Sequence, residues 1–288
     1  MCLLVLAWNT HPRYRLVIAA NRDEYHDRPA APLRLWPAPA DILAGQDLRA
    51  GGTWLGTDRR RRFGVVTNFR DPPTEAEPAT APGGRPPDPR ILRGRSPPES
   101  APSRGGLIPR YLGGTAGPGE YLGALEAEAA EYGGFNLLLA DGESLWYASN
   151  RAAPFAQALP PGVYGLSNER LDTPWPKLRR VRRGFEAWLQ AGSADDGGLF
   201  ALLEDRTPAG EEDLSGAGFS PEWERALSSP FVLHERYGTR CSTVVAVEPA
   251  GGCYVAERRF EPSGVLSGET EYRLAPGEWV RAAGPGFR

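Results

Sequence analysis

Three groups of residues in this 288-residue chain combine into a pattern that can do acyl-transfer chemistry. They are a cysteine at position 2, the cluster Asn21-Arg22-Asp23-Glu24, and two asparagines, Asn68 and Asn168, that follow apolar runs. Aminopeptidase removal of an initiator Met is expected where the next residue is small, and it would leave Cys2 carrying both its thiol and a free α-amine. The amine ordinarily titrates at ~7.7–8.0 and the thiol at ~8.5, so part of the amine is available at neutral pH as a base. One residue then supplies a nucleophile and its own base. Arg22 nearby is expected to lower the thiol pKa and favour thiolate, while Asp23 orients the amine or holds its ammonium form. Asn68 or Asn168 can aim an N–H at a developing oxyanion, a donor whose loss from a working site costs about 3 kcal/mol.

Each feature also has a plainer reading. An Asn at a strand end is usually a turn former, an Arg beside Asp and Glu is usually an ion pair, and a cysteine at position 2 is usually inert. Their joint placement at strand ends raises the chemical reading above the plain one.

That placement depends on two short apolar runs. Leu3 to Trp8 and Leu16 to Ala20 are of strand length and are separated by the polar, Pro-containing Asn9 to Arg13. Paired as an antiparallel hairpin, they set the start of the first strand, with Cys2, beside the end of the second, with Asn21 to Glu24. Residues 29 to 50 read as an extended connection, because Pro29, Pro32, Pro37 and Pro39 forbid a helix. Gly51-Gly52-Thr53-Trp54-Leu55-Gly56 is a Gly-rich turn without the GK[ST] ending of a phosphate loop. Phe63 to Phe69 is a strand with Asn68 near its end. Asp71 to Arg104 is dominated by Pro, Gly, Ser, Ala and charge, and reads as a flexible surface insertion.

Further along, Gly119 to Tyr132 has helical spacing and stops at Gly133-Gly134. Phe135 to Ala140, Leu145 to Ser149 and Val163 to Ser167 read as strands, the third closed by Asn168. Trp175 to Ala191 is an amphipathic helix, and Leu199 to Leu203 a short one. Thr243 to Val247, Cys253 to Phe260 and Thr270 to Leu274 form a terminal set of strands. Strands, then helices, then strands is an α+β order in one domain, residues 1–288.

Composition narrows the function. Thirty-three basic against 36 acidic residues give a formal charge of -3, which does not suggest a nucleic-acid partner. Cys2, Cys241 and Cys253 form no CxxC, and His11, His26 and His234 no ligand spacing, so neither a structural metal nor another cofactor is expected. Leu3 to Trp8 is too short for a membrane span and lacks a signal peptide's basic start. A cytoplasmic protein with reduced thiols is the default expectation.

Asn21-Arg22-Asp23-Glu24 followed by Arg28-Pro29 resembles the signature of the NRDE family, which includes eukaryotic transport and Golgi organisation proteins. The likeness extends through Gly51 to Gly56, Thr67-Asn68-Phe69-Arg70, Ser103-Arg104-Gly105, Gly134 to Leu137, Tyr164 to Asn168, Thr173-Pro174-Trp175-Pro176-Lys177-Leu178 and Tyr237-Gly238-Thr239-Arg240. That family is similar in turn to N-terminal nucleophile (Ntn) hydrolases, which implies a four-layer αββα sandwich. By the resemblance Cys2, Arg22, Asp23, Asn68, Asn168 and Arg240 fill the catalytic places, with Asp23 and Glu24 interchangeable. The implied substrate is a small-molecule amide, thioester or acyl-lipid, cleaved or transferred at a non-peptide bond. The alternative is a binding or trafficking protein for haem or an acyl-lipid, since the eukaryotic relatives are linked with haem mobilisation and lipid homeostasis. No CxxCH or axial ligand pair lends haem independent support.

Overall fold

The computed structural model describes residues 2–38, 40–70, 101–214, 221–275 and 278–281. Its first two strands, β1 (Cys2–Trp8) and β2 (Leu16–Tyr25), form the expected hairpin, in a register that pairs Cys2 with Arg22 and Trp8 with Leu16. β2 runs beyond its apolar half, so Asn21, Arg22 and Asp23 are themselves strand residues and are buried.

Twelve more strands follow: β3 (Ala30–Leu35), β4 (Ile42–Asp47), β5 (Leu55–Asp58), β6 (Phe63–Asn68), β7 (Phe135–Ala140), β8 (Leu145–Ser149), β9 (Ala156–Ala158), β10 (Gly162–Leu166), β11 (Tyr237–Val247), β12 (Cys253–Phe260), β13 (Leu266–Ala275) and β14 (Glu278–Arg281). They make two seven-stranded sheets. The first has the order β10-β1-β2-β11-β12-β13-β14, and the second runs β3 to β9 in chain order. The strand pairings in both sheets are antiparallel. The described residues also form five α-helices: α1 (Leu107–Gly113), α2 (Pro118–Glu126), α3 (Pro176–Gln190), α4 (Asp196–Leu203) and α5 (Pro221–Leu227).

The continuous apolar run of β1 has a simple cause: both of its faces are covered. Successive side chains of a strand point to opposite faces. Leu4, Leu6 and Trp8 meet Leu33, Leu43, Leu55, Phe63 and Leu138 of the second sheet in one cluster. Leu3, Val5 and Ala7 meet Leu178, Val181 and Phe185 of α3 and Leu199 and Phe200 of α4 in another. A third cluster packs Leu107, Ile108 and Tyr111 of α1 and Leu122 and Leu125 of α2 on Leu137 and Leu139 of β7. Each sheet thus gives one face to the other sheet and one to helices.

The Pro-punctuated stretch 29 to 50 differs from the expected connection, for it contains β3 and β4. Pro32 is accommodated because β3 is an edge strand and its register with β4 shifts between Ala31 and Arg34, where a missing N–H breaks no ladder. α1, α5, β9 and β14 had no clear signal; each is short, 7, 7, 3 and 4 residues respectively. The expected helix 119–132 ends at Glu126 and is followed by a 3-10 turn at Ala129–Glu131. Of the insertion expected at 71–104, residues 71–100 lie outside the described residues, and Arg104 begins a 3-10 turn. No helix among the described residues is long and apolar enough to cross a membrane.

Phe185 is fully buried where α3 meets β1 and β2. Phe185→Ala should lower unfolding free energy by about 3–5 kcal/mol through lost transfer energy and a cavity, measured as a shift of the urea midpoint at unchanged slope.

Candidate active site

Cys2 opens β1 and lines a small solvent-open cleft of about 110 Å³. Its backbone N–H donates to Asn168 Oδ1 at 3.1 Å, and its carbonyl accepts from Ser167 Oγ at 2.9 Å. The nitrogen of the same side-chain amide reaches the other sheet, Nδ2 donating to the Asn68 carbonyl at 2.9 Å. Asn168 therefore fixes the Cys2 nitrogen, and its own N–H is taken up by Asn68. Asn68 lines the cleft with Cys2.

Asp23 lies next to Arg22, the strand partner of Cys2, near the start of α3. Its Oδ1 accepts from Thr239 Oγ1 at 2.7 Å, and its carbonyl accepts from the Tyr237 hydroxyl at 2.9 Å. Its Oδ2 is 4.0 Å from Lys177 Nζ, both side chains being almost fully buried. Burial pushes the Asp23 carboxyl up and the Lys177 ammonium down, and their mutual attraction offsets only part of this. Asp23 acts on the Cys2 thiol in two opposed ways, its charge raising it and its backbone N–H lowering it. Glu24 faces Arg28 at 3.8 Å on the rim.

The Cys2 thiol does not behave as expected from Arg22 alone. Burial raises it, Asp23 adds to the rise, and the chain's N-terminal ammonium and Arg22 only partly oppose them. Arg22 is itself committed, 3.6 Å from Asp47 and with its guanidinium 4.3 Å over the Trp54 ring. Desolvation disfavours a thiolate more than a shared cation favours it. Cys241 and Cys253 are buried as expected, and burial pushes Cys253 up to about 12.

The cleft walls follow from small residues. An added Cβ at Gly45 would lie 2.5 Å from the Trp54 ring, so only glycine lets that indole lie against β4 and support Arg22. An added Cβ at Gly52 would sit 2.3 Å from the Gly105 carbonyl group, whose oxygen accepts from the Thr53 N–H at 3.0 Å. This contact closes the rim formed by Thr53, Ser103, Arg104 and Gly105.

Arg240 is not brought to Cys2. The β2–β11 register shifts between Thr239 and Cys241, which leaves Arg240 as the extra residue of a bulge. Its Nη1 donates to the carbonyls of Tyr25, His26 and Arg28 at 2.9, 3.2 and 3.3 Å, clasping the turn after β2. Lys177, Thr239, Trp54 and Asp47 were missed as site residues. Lys177, Thr239 and Trp54 lay within quoted motif blocks, but nothing in their spacing marks them as neighbours of Asp23 or Arg22.

The family model described as Transport and Golgi organisation 2 matches residues 1–262. A Bos taurus protein named Transport and Golgi organization protein 2 homolog is 32% identical over 302 residues, covering 95% of this chain and 99% of the relative. A Mus musculus Transport and Golgi organization 2 homolog is 31% identical, covering 90% and 92%. Transport and Golgi organization protein 2 of Drosophila melanogaster is 26% identical, covering 97% and 95%.

Gly52→Ala should overpack the rim and destabilise the fold by about 1–3 kcal/mol, with faster hydrogen exchange at the Thr53 amide. Gly105→Ala, whose Cβ would meet atoms no closer than 3.4 Å, should leave both nearly unchanged. A second expectation concerns acid. Asp47 is held below its ordinary value although burial raises it, because Arg28 at 2.5 Å, the Ala50 N–H and Arg22 together outweigh the burial. Its contribution to stability is full above the ordinary carboxylate value, about 4, and is lost as pH falls through the lower folded value. Asp47→Asn should therefore be less stable than wild type at neutral pH and converge on it below about pH 3 in urea titrations.

Proposed function

This chain belongs to the Transport and Golgi organisation 2 family, and we propose that it works as an N-terminal cysteine hydrolase or acyltransferase on a non-peptide amide or thioester. The fold proposed is one Ntn-type αββα domain over residues 1–288. Its support is the placement of helices on the outer faces of two mutually packed sheets. The observation that carries the chemistry is the grip of Asn168 Oδ1 on the Cys2 nitrogen beside the cleft. With Met1 removed, that nitrogen is an amine held beside the thiol.

In the proposed reaction the amine takes the Sγ proton and Sγ attacks the substrate carbonyl carbon. A C–S bond forms, and the oxyanion lies toward the Asn68 amide. Collapse breaks the bond to the leaving amine or thiol, which departs with the proton. Water, or an acceptor nucleophile, then attacks the Cys2 thioester and frees the thiol. Arg22, supported by Trp54 and Asp47, and the Asp23–Lys177 pair fix the charge around this step.

The raised thiol favours a second reading, a non-catalytic carrier of an acyl-lipid or haem in a cytoplasmic setting. The relatives' names place them in transport and Golgi organisation, which suits either reading. Incubation with phenyl thioacetate should place an acetyl group on Cys2 of chains lacking Met1, read by intact and peptide mass. Cys2→Ala should take none. Asn68→Ala should acetylate about a hundredfold more slowly. Native protein that retains Met1 and takes no acetyl group would overturn the hydrolase reading and leave the carrier.

A further inference from the structure

A second space touches Cys2. A pocket of about 10 Å³ lies between the two sheets and shares Cys2, Arg22, Trp54 and Val66 with the cleft. Strand register places it. Side chains two apart on a strand share a face, so Cys2 stands on the same side of the first sheet as Leu4, and Arg22 on the same side as Ala20. The rung Cys2–Arg22–Cys241 is followed by the rung Leu4–Ala20–Thr243. Leu4 and Ala20 belong to the apolar cluster between the sheets, and so do Leu55 and Val65, which pair across β5 and β6. Behind Cys2 the pocket is therefore closed by Leu4, Ala20, Leu55, Val65 and Thr243, all of them buried. The two spaces differ in chemistry. Arg28, Asp47 and Arg104 line the larger cleft, and none of the three lines the pocket.

We propose that the pocket is the acyl subsite of the reaction at Cys2, so that the substrate is an amide or thioester of a short apolar acid, acetyl or propionyl in size. The inference rests on Cys2 being the nucleophile, and it names what that residue accepts. Sγ bonds to the carbonyl carbon. The carbon chain of the acyl group then lies inward, past Val66, and the leaving amine or thiol lies outward among the charged groups of the cleft. On the same measure a buried water occupies about 10–15 Å³, so the pocket takes about one methyl or methylene group. An apolar group suits these walls better than water, which needs about two to four polar partners in such a site. Longer chains meet Leu4, Ala20 and Thr243, which belong to a close-packed interior that yields little. A fatty chain would have to part the sheets.

The test compares phenyl thioesters of acetate, propionate, butyrate and hexanoate, with acylation of Cys2 read by peptide mass in wild type, Val65→Ala and Ala20→Val. Each rate is divided by that of free cysteine with the same reagent. Methyl, ethyl, propyl and pentyl methanethiosulfonates form a mixed disulfide at Cys2 and release methanesulfinate, so they probe the pocket without acyl chemistry. In wild type both series should fall at least about tenfold from the shortest member to the longest, since one methylene in an apolar pocket discriminates by about 10–200-fold. Val65→Ala enlarges the pocket and should move the fall to a longer member. Ala20→Val fills it and should slow even the shortest member of each series. Circular dichroism checks the fold, and if one variant fails to fold the other decides. A flat wild-type series, or a fall that neither variant moves, overturns the acyl subsite. Acylation by none of the thioesters, together with a methanethiosulfonate series whose fall moves in the variants, would refute the hydrolase reading and keep the pocket's preference for short chains.

Discussion

The two sheets meet at the site through one side-chain amide. Asn168 accepts from the nitrogen of Cys2 in the first sheet and donates to the carbonyl of Asn68 in the second. Its backbone joins in, for its carbonyl accepts from the Arg70 N–H at 2.6 Å, while Thr67 Oγ1 donates to the Ser167 carbonyl at 3.1 Å. Apolar packing between sheets is non-directional and would tolerate a slide along the strands. These directional bonds do not. They fix where the end of β6 stands relative to the start of β1, and so set the spacing of Asn68 from Cys2. Asn136 supports the same corner, donating to Thr67 Oγ1 and to the Glu169 carbonyl while accepting from the Tyr147 hydroxyl.

Around that corner the chain buries several ionisable side chains. Arg22, Asp23 and Lys177 are all almost fully buried, and each is held by a partner of opposite sign. Buried ion pairs seldom outweigh the desolvation of both members, and apolar residues of similar size often fit as well. Groups displaced from their ordinary pKa by burial together with specific charge partners concentrate where chemistry is done. Arg240 shows the opposite case. Its guanidinium is spent on three backbone carbonyls, which is structural work near the site.

The hairpin was legible in the sequence because it is local: two apolar runs and a short turn dictate that Cys2 faces Arg22. Asn68 and Asn168 were legible as strand-end amides, although their division of labour was not, since that depends on which sheet each one reaches. Lys177 was hidden because its importance comes from α3 crossing β1 and β10, a contact that no helical periodicity announces. β3 was hidden by Pro32, which an edge strand accepts and an inner strand would not. The thiol's rise escaped for a related reason: Arg22 is visible as a neighbour in the sequence, whereas its engagement with Asp47 and Trp54 is tertiary.

The strand order of the first sheet also governs how the protein comes into being. β1 and β2 can pair as soon as both have been synthesised, but their outer neighbours are β10 and β11, beginning at Gly162 and Tyr237. Closing chain segments of that length is slow, because entropy is lost before distant contacts repay it. Until those later strands are in place, the hairpin has no partner along either of its outer edges. The hydrogen bond from the Cys2 N–H to Asn168 and the Asp23–Thr239 contact both need segments far along the chain. The environment that perturbs Cys2 is thus assembled from both ends of the chain, and no N-terminal fragment ending before Asn168 contains it.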